Sequence, residues 1–317
     1  MVMLQTGANV RWKRRKKIFR KEDAALYLMA LPTVIFLLIF CYLPMGGLVM
    51  AFQDLNITKG IFSSPFVGLK NFEFLFSTTD AWVITRNTVC YNLVFIVVNL
   101  VISISLALML SSLRSGRYAK TVQTVYMMPY FLSYAVVAIV VNAFLDRDDG
   151  LVNAILKLTG EVGKTNWYHQ IEVWPPLLVF VNAWKGVGYQ TVLYLAVISG
   201  ISIDYYEAAV LDGASKFQQA RYITIPHLRY IVGISLILSM SSIFRGDFGL
   251  FYNVPMNQGK IYPVTDVIDT YIYRALTYLN NVGMSTAAGL YQSVVGFVLV
   301  LIVNKIVNRI DPDSAMF

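Results

Sequence analysis

The chain has 317 residues, 57% of them apolar and 14% charged, with a formal net charge of +8 and a mean hydropathy of +0.59. A soluble domain carries about 25% charged residues, so this composition excludes an ordinary water-soluble enzyme or a nucleic-acid-binding domain. A basic excess in so apolar a chain belongs to loops that flank membrane spans.

Residues 1–23 open the chain with eight Lys and Arg: Arg11, Lys13, Arg14, Arg15, Lys16, Lys17, Arg20 and Lys21. The uncharged run 24–53 follows, and 87–113, 121–145 and 275–304 are equally free of Asp, Glu, Lys and Arg. Each exceeds the ~20 residues that a helix needs to cross a bilayer. Two further runs are apolar with exceptions, 173–203 apart from Lys185 and 230–252 apart from Arg245 and Asp247. Backbone polar groups find no water in lipid, so spans must be helices. The pattern predicts an all-α integral membrane protein with six transmembrane helices over 24–310, behind a basic segment 1–23 and ahead of a tail 311–317. A cleaved secretory signal has an apolar core of only ~7–15 residues, so the 30-residue run at 24–53 reads as a span.

Basic residues then set the orientation. With the N-terminus inside, residues 1–23, 113–121, 203–229 and the tail from Lys305 hold 8, 3, 3 and 2 of them, against eight in the outside loops, with Lys185 and Arg245 within spans. Both termini are expected in the cytoplasm, with the first block also meeting anionic lipid headgroups. Cys41 and Cys90 lie inside apolar runs, and His169 and His227 stand apart from any ligand pattern. Neither a disulfide framework nor a metal site is expected.

One predicted cytoplasmic loop, 202–229, is long, polar and helix-forming. Asp204 followed by Glu207 has capping-box spacing, which predicts a helix start there. Ala208, Ala209, Val210, Leu211 and Ala214 continue it with good propensity. Gly213 either ends this helix or lets another backbone come close. Pro226 marks the start of the next span. Glu207-Ala208-Ala209, Gly213 and Ile223-Thr224-Ile225-Pro226 resemble the EAA loop of ABC importer permeases, EAA-x3-G-x9-I-x-L-P. The spacing agrees without a gap, Ile225 replaces the usual Leu, and Asp212-Gly213-Ala214 is similar to the common extension of the motif. The resemblance implies a type I ABC importer permease fold, with Glu207, Ala208, Ala209, Asp212, Gly213 and Pro226 forming a coupling helix that docks on a separate ATPase. Phe66-Val67-Gly68-Leu69-Lys70-Asn71-Phe72, the Asn87-Thr88 pair and Trp184-Lys185-Gly186 resemble carbohydrate-uptake permeases of the maltose-permease type. Asp247-Phe248-Gly249-Leu250-Phe251, the stretch from Thr265 to Tyr271 (Thr-Asp-Val-Ile-Asp-Thr-Tyr), Gly289-Leu290-Tyr291-Gln292-Ser293 and the tail pair Asp311-Pro312 are similar to a subgroup that handles oligosaccharides.

The resemblance implies partners: a second permease, homologous or identical, two ATPase subunits carrying ATP and Mg, and an external solute-binding protein. Gly160-Glu161-Val162-Gly163-Lys164-Thr165 approaches a phosphate-binding loop, but the required first glycine falls at Leu158. No catalytic residue or resident cofactor is expected in this chain.

Charged groups within a span cost ~2.5–3.5 kcal/mol each on insertion scales and mark candidate path residues. Lys185, Arg245 and Asp247 are such candidates, with Asp247 expected to pair with Lys185 or Arg245. Arg245 and Asp247 could equally sit at the interface and snorkel. Sugars present apolar faces and hydroxyl edges, a mixture that Trp184, Tyr189, Phe248, Tyr252, Asn253, Tyr291 and Gln292 offer alongside ordinary packing or interfacial roles. Within the importer class the other substrate is a peptide or amphiphile. Outside it, an ion-coupled carrier would need acidic relays within spans, and a membrane enzyme would need a nucleophile–base or metal cluster.

Overall fold

The computed structural model describes residues 24–56, 58, 60–73, 77–113, 116–159 and 165–310. The basic segment 1–23, the tail 311–317 and Gly160 to Lys164 of the phosphate-loop near miss lie outside the described residues. All described regular structure is helical, apart from one isolated bridge between Gln53 and Phe66. The chain divides into two compact units, Met1–Val49 and Met50–Phe317.

In the first unit, α1 (Ala24–Leu37) continues through a π turn, Leu38–Tyr42, into tighter helical turns that run on to Phe52. Its side chains are apolar on every face, and the large ones from Leu26 to Leu43 stand exposed. A helix that is hydrophobic all round is stable only against lipid or another apolar surface. The run Leu26–Phe52 is long enough to span.

In the second unit the helices are α2 (Thr79–Ser111), α3 (Gly116–Met127), α4 (Tyr134–Leu145), α5 (Leu151–Leu158), α6 (Trp174–Ser199), α7 (Ile203–Leu211), α8 (Lys216–Gln219), α9 (Ile225–Ser241), α10 (Phe248–Asn253), α11 (Tyr262–Thr265), α12 (Ile268–Thr277) and α13 (Val282–Ile310). Three departures from six straight crossings stand out. The expected third span is α3 plus α4, bent by 98°. Pro129 removes a backbone donor at the bend, and Ser133 restarts the helix by accepting the Val136 N–H at 3.3 Å. The fifth span is the rod Lys216–Ser241, which begins and ends well before the expected 230–252. Pro226 lies inside this rod rather than at its start. A π turn, Ala220–Thr224, takes up the missing N–H and the ring just ahead of it. The sixth expected span loses its first turn, because α12 stops at Thr277 and α13 starts at Val282.

Core packing follows helix chemistry. Helices α2 and α6 form the most extensive helix pair. Small and polar residues hold them together: Asn99 donates to Asn182 Oδ1 at 2.9 Å, and Ser103 reaches Val187 O and Gln190 Oε1 at 3.4 Å. Lipid gives no hydrophobic drive between spans, so such contacts select the pairing. Gly188 of α6 lies so close to α3 that an added Cβ would stand 2.5 Å from Tyr126 O. At the end carrying α7, Ala107, Tyr194, Ile198 and Leu228 pack together. At the opposite end Tyr91, Phe95, Val137, Trp174, Leu178 and Phe251 build a larger cluster.

The Asn87-Thr88 pair has a structural use. Asn87 Nδ2 donates to Pro263 O (3.2 Å) and Asp266 O (2.9 Å), and Thr88 Oγ1 accepts the Ile268 N–H at 3.1 Å. Tyr91 and Asn92 add bonds to the backbone at Val264, Ile243 and Arg245. One face of α2 thereby satisfies the irregular chain between α9 and α12. Asn71, in the motif 66–72, likewise donates to Ala51 O and Gln53 O at 3.0 and 2.8 Å, and Gly68 adopts φ +62°.

Candidate functional site

The EAA-like loop folds as an elbow. Ser202, not Asp204, caps α7: its Oγ accepts the Asp204 N–H at 3.3 Å, and Glu207 lies about one and a half turns beyond that cap, on the exposed surface. At the other end Gly213 adopts φ +77°. Its N–H reaches Val210 O at 3.0 Å, and the Ala214 N–H reaches Ala209 O at 2.8 Å. This pair of bonds is the Schellman arrangement, in which a glycine turns left-handed to satisfy the last carbonyls. Of the two sequence readings of Gly213, helix termination is realised within this chain, and among the described residues nothing lies within 4 Å of its would-be Cβ. Ser215 and Gln218 then form the reciprocal capping box expected one helix earlier, and open α8.

Glu207, Ala208 and Asp212 are exposed and Ala209 is half-buried. Leu211 on α7 is 88% and Phe217 on α8 74% exposed. The elbow is tied down on its inner side. Tyr206 shares a hydrogen bond with Thr224 at 3.0 Å, and the buried Gln219 donates to Ala214 O at 3.0 Å. Sequence reasoning missed these positioning roles because Tyr206 reaches Thr224 on the next span and Gln219 turns back to a carbonyl ahead of its own helix, which periodicity along one helix does not reveal.

The ten candidate path residues do not form one site. Trp184 borders an apolar groove of about 410 Å³ with Val125, Phe180 and Gly188. Tyr189 stacks on Tyr130 with ring centroids 5.0 Å apart. Tyr291 packs edge-on against Phe244 at 6.1 Å. Phe248 stacks on Tyr252 at 5.0 Å. Tyr252 and Asn253 line a cavity of about 560 Å³ with Asn142, Asn257 and Tyr278. A hydrogen bond to Tyr278, with burial second, holds the Tyr252 hydroxyl above the usual phenol range. Arg245 and Gln292 line a separate polar cavity of about 510 Å³ with Asp269, a residue not singled out as a site from the sequence.

Asp247 pairs with neither Lys185 nor Arg245. Its carboxylate accepts the Tyr134 hydroxyl and caps α10 through the Leu250 N–H at 3.2 Å. Lys185 donates to Tyr130 O at 2.8 Å and Leu132 O at 2.6 Å, and lies over the Tyr134 ring at 5.0 Å. These are carbonyls that the 98° break frees from helical bonding, so the ammonium substitutes for missing N–H donors. Lys185→Met should lower unfolding stability in detergent by about 2 kcal/mol, while Lys185→Arg keeps most of it. Denaturant titration checks this, and an unchanged midpoint for Lys185→Met would remove the lysine from the upkeep of the break.

Residues 99–312 match the family described as binding-protein-dependent transport system inner membrane component, and the chain belongs to that family. Among its relatives is the polygalacturonan/rhamnogalacturonan transport system permease protein YteP of Bacillus subtilis strain 168, 32% identical over 304 residues, 95% of this chain and 94% of that one. A chain in the crystal structure of a bacterial ABC transporter involved in the import of the acidic polysaccharide alginate superimposes with a TM-score of 0.82 at 34% identity, covering 92% of this chain and 97% of that chain. A chain from a bacterial alginate ABC transporter in complex with alginate pentasaccharide-bound periplasmic protein gives 0.81 at 33% identity, covering 92% and 96%. The fold is that of an ABC importer permease, and this chain is an integral membrane transport subunit rather than an enzyme. The ion-coupled carrier and the membrane enzyme are thereby set aside.

Proposed function

We propose that this permease forms half of the translocation path for an oligosaccharide and takes its drive from a separate ATPase through the elbow α7–α8. The observation that carries the coupling role is the Ser202-capped, Gly213-terminated helix, with its own Leu211 and Phe217 of the adjoining α8 held out to solvent. A short rigid lever needs fixed ends and an unoccupied apolar tip. Glu207, Ala208, Ala209, Asp212 and Gly213 give it an acidic, small-residue surface that another subunit can seat closely, and Pro226 belongs to the rod behind it. Movement of α7 reaches two spans at once, α6 through the short link after Ser199 and the rod Lys216–Ser241 through the Tyr206–Thr224 bond.

In this reading the elbow and both termini face the cytoplasm, in keeping with the basic-residue counts. ATP and Mg reside on two ATPase subunits, a second permease closes the path, and an external binding protein delivers the sugar. Support for a sugar comes from the named relatives, and from the aromatic and amide lining at Tyr252, Asn253 and Tyr278. The test is reconstitution with the partner permease and ATPase in vesicles. Oligosaccharide-loaded binding protein should stimulate ATP hydrolysis and drive sugar inward. Hydrolysis indifferent to loaded binding protein, or an ATPase that fails to co-purify, would sink the proposal.

A further inference from the structure

The cavity between the end of α9, α12 and α13 carries chemistry that neither packing nor lipid contact explains. Gln292 lies ten residues past Val282, the first residue of α13, or about 15 Å along the helix. That is roughly the middle of a hydrocarbon layer about 30 Å thick. Its amide donates to Phe244 O at 2.8 Å and Asp269 Oδ2 at 2.9 Å. The Gly246 N–H donates to the same carboxylate oxygen at 2.6 Å. Asp269 is thus turned toward Gly246 and Gln292.

Arg245 lines the same cavity and is exposed. Among the described residues its guanidinium makes no hydrogen bond or ion pair, and the Gln292 carbonyl oxygen accepts none. An open guanidinium at this depth costs ~2.5–3.5 kcal/mol if it meets hydrocarbon. The cost disappears if this wall borders water and ligand. Nearby Phe297 is 63% exposed and offers an apolar face beside the polar groups. The volume, about 510 Å³, falls in the range of roughly 300–1,000 Å³ that ligand sites occupy.

We propose that this cavity is a subsite for a carboxylate-bearing sugar on the wall of the translocation path, the Arg245 fork taking the carboxylate and Gln292 Oε1 a hydroxyl. Guanidinium and carboxylate match in a bidentate geometry that a lysine cannot reproduce, and Phe297 provides a surface for the apolar face of the ring. The inference rests on the oligosaccharide reading and adds to it the charge of the substrate and the residue that selects it.

The test uses the complete transporter in proteoliposomes with its binding protein. The probes are a uronic-acid pentasaccharide and its carboxyl-reduced counterpart of equal length. Arg245→Gln should lower uptake of the acidic probe at least tenfold more than uptake of the neutral one, and Arg245→Lys should fall between wild type and Arg245→Gln. An equal fall for both probes, or wild-type preference retained in Arg245→Gln, would overturn the subsite and leave the oligosaccharide reading standing. Wild-type vesicles that import neither probe would overturn both.

Discussion

Gly213→Val should uncouple the transporter, with ATP-driven uptake falling about tenfold or more while the chain still inserts in the membrane. The left-handed φ of +77° at Gly213 costs an L-residue about 1–2 kcal/mol, and more when it is β-branched. A strain of that size changes a conformational population by a factor of about 5–30. It falls on a nine-residue helix too short to hold its own ends in water. Free space around the would-be Cβ separates backbone strain from crowding within this chain. Gly213→Asn, which visits the left-handed region more readily, should retain most of the uptake. Uptake and ATPase co-purification are the readouts. Equal behaviour of the Val and Asn variants would mean that the helix end is not what the ATPase needs.

The second large effect concerns stability rather than coupling. Arg274→Met should destabilise the protein by about 3–5 kcal/mol, because it leaves a buried carboxylate without its countercharge. Asp266 is only 6% exposed and bonds to Arg274, while Thr270 Oγ1 donates to its other oxygen at 2.5 Å. Arg274 also lies over the Tyr262 ring at 4.0 Å, so the pair fastens α11 to α12. For a chain of this size the loss corresponds to roughly 5–8 °C in Tm. Adding Asp266→Asn should recover much of it, since a neutral amide no longer needs the cation. Thermal unfolding of the single and double variants in detergent gives the comparison. A double variant no more stable than the single would show that Arg274 acts through its stacking on Tyr262 instead.

The second outcome bears on how the molecule is built between its fifth and sixth spans. The stretch from Arg245 to Tyr278 is broken into the short helices α10, α11 and α12, and backbone groups at their ends and between them are satisfied by α2 through Asn87, Thr88, Tyr91 and Asn92. The same stretch supplies Asp247 to Tyr134 and Asp269 to the polar cavity. A segment that carries candidate ligand groups on helices this short leaves many helix-end groups for its neighbours to satisfy. Residues with left-handed φ at Met256 and Asn257 sit beside the cavity that Tyr252 and Asn253 line.

Hydropathy, basic-residue counts and one motif at fixed spacing were enough to establish an all-helical membrane permease, because the bilayer penalises every unsatisfied backbone group and leaves few alternatives. The position of α7 was legible for a related reason: its determinants are local, an alanine-rich turn followed at the right distance by a glycine. Its cap at Ser202 was misplaced by two residues, since Ser202 and Asp204 are both good caps and only the course of the chain out of α6 chooses between them. The bend after Pro129, the early end of the fifth span and the partners of Lys185 and Asp247 were set by packing between helices. Lys185 lies more than fifty residues from the carbonyls it binds, and Asp269 twenty-three from Gln292. An apolar count records how many charges a span holds, whereas only the folded arrangement decides whether each charge meets a carbonyl, a hydroxyl or an open cavity.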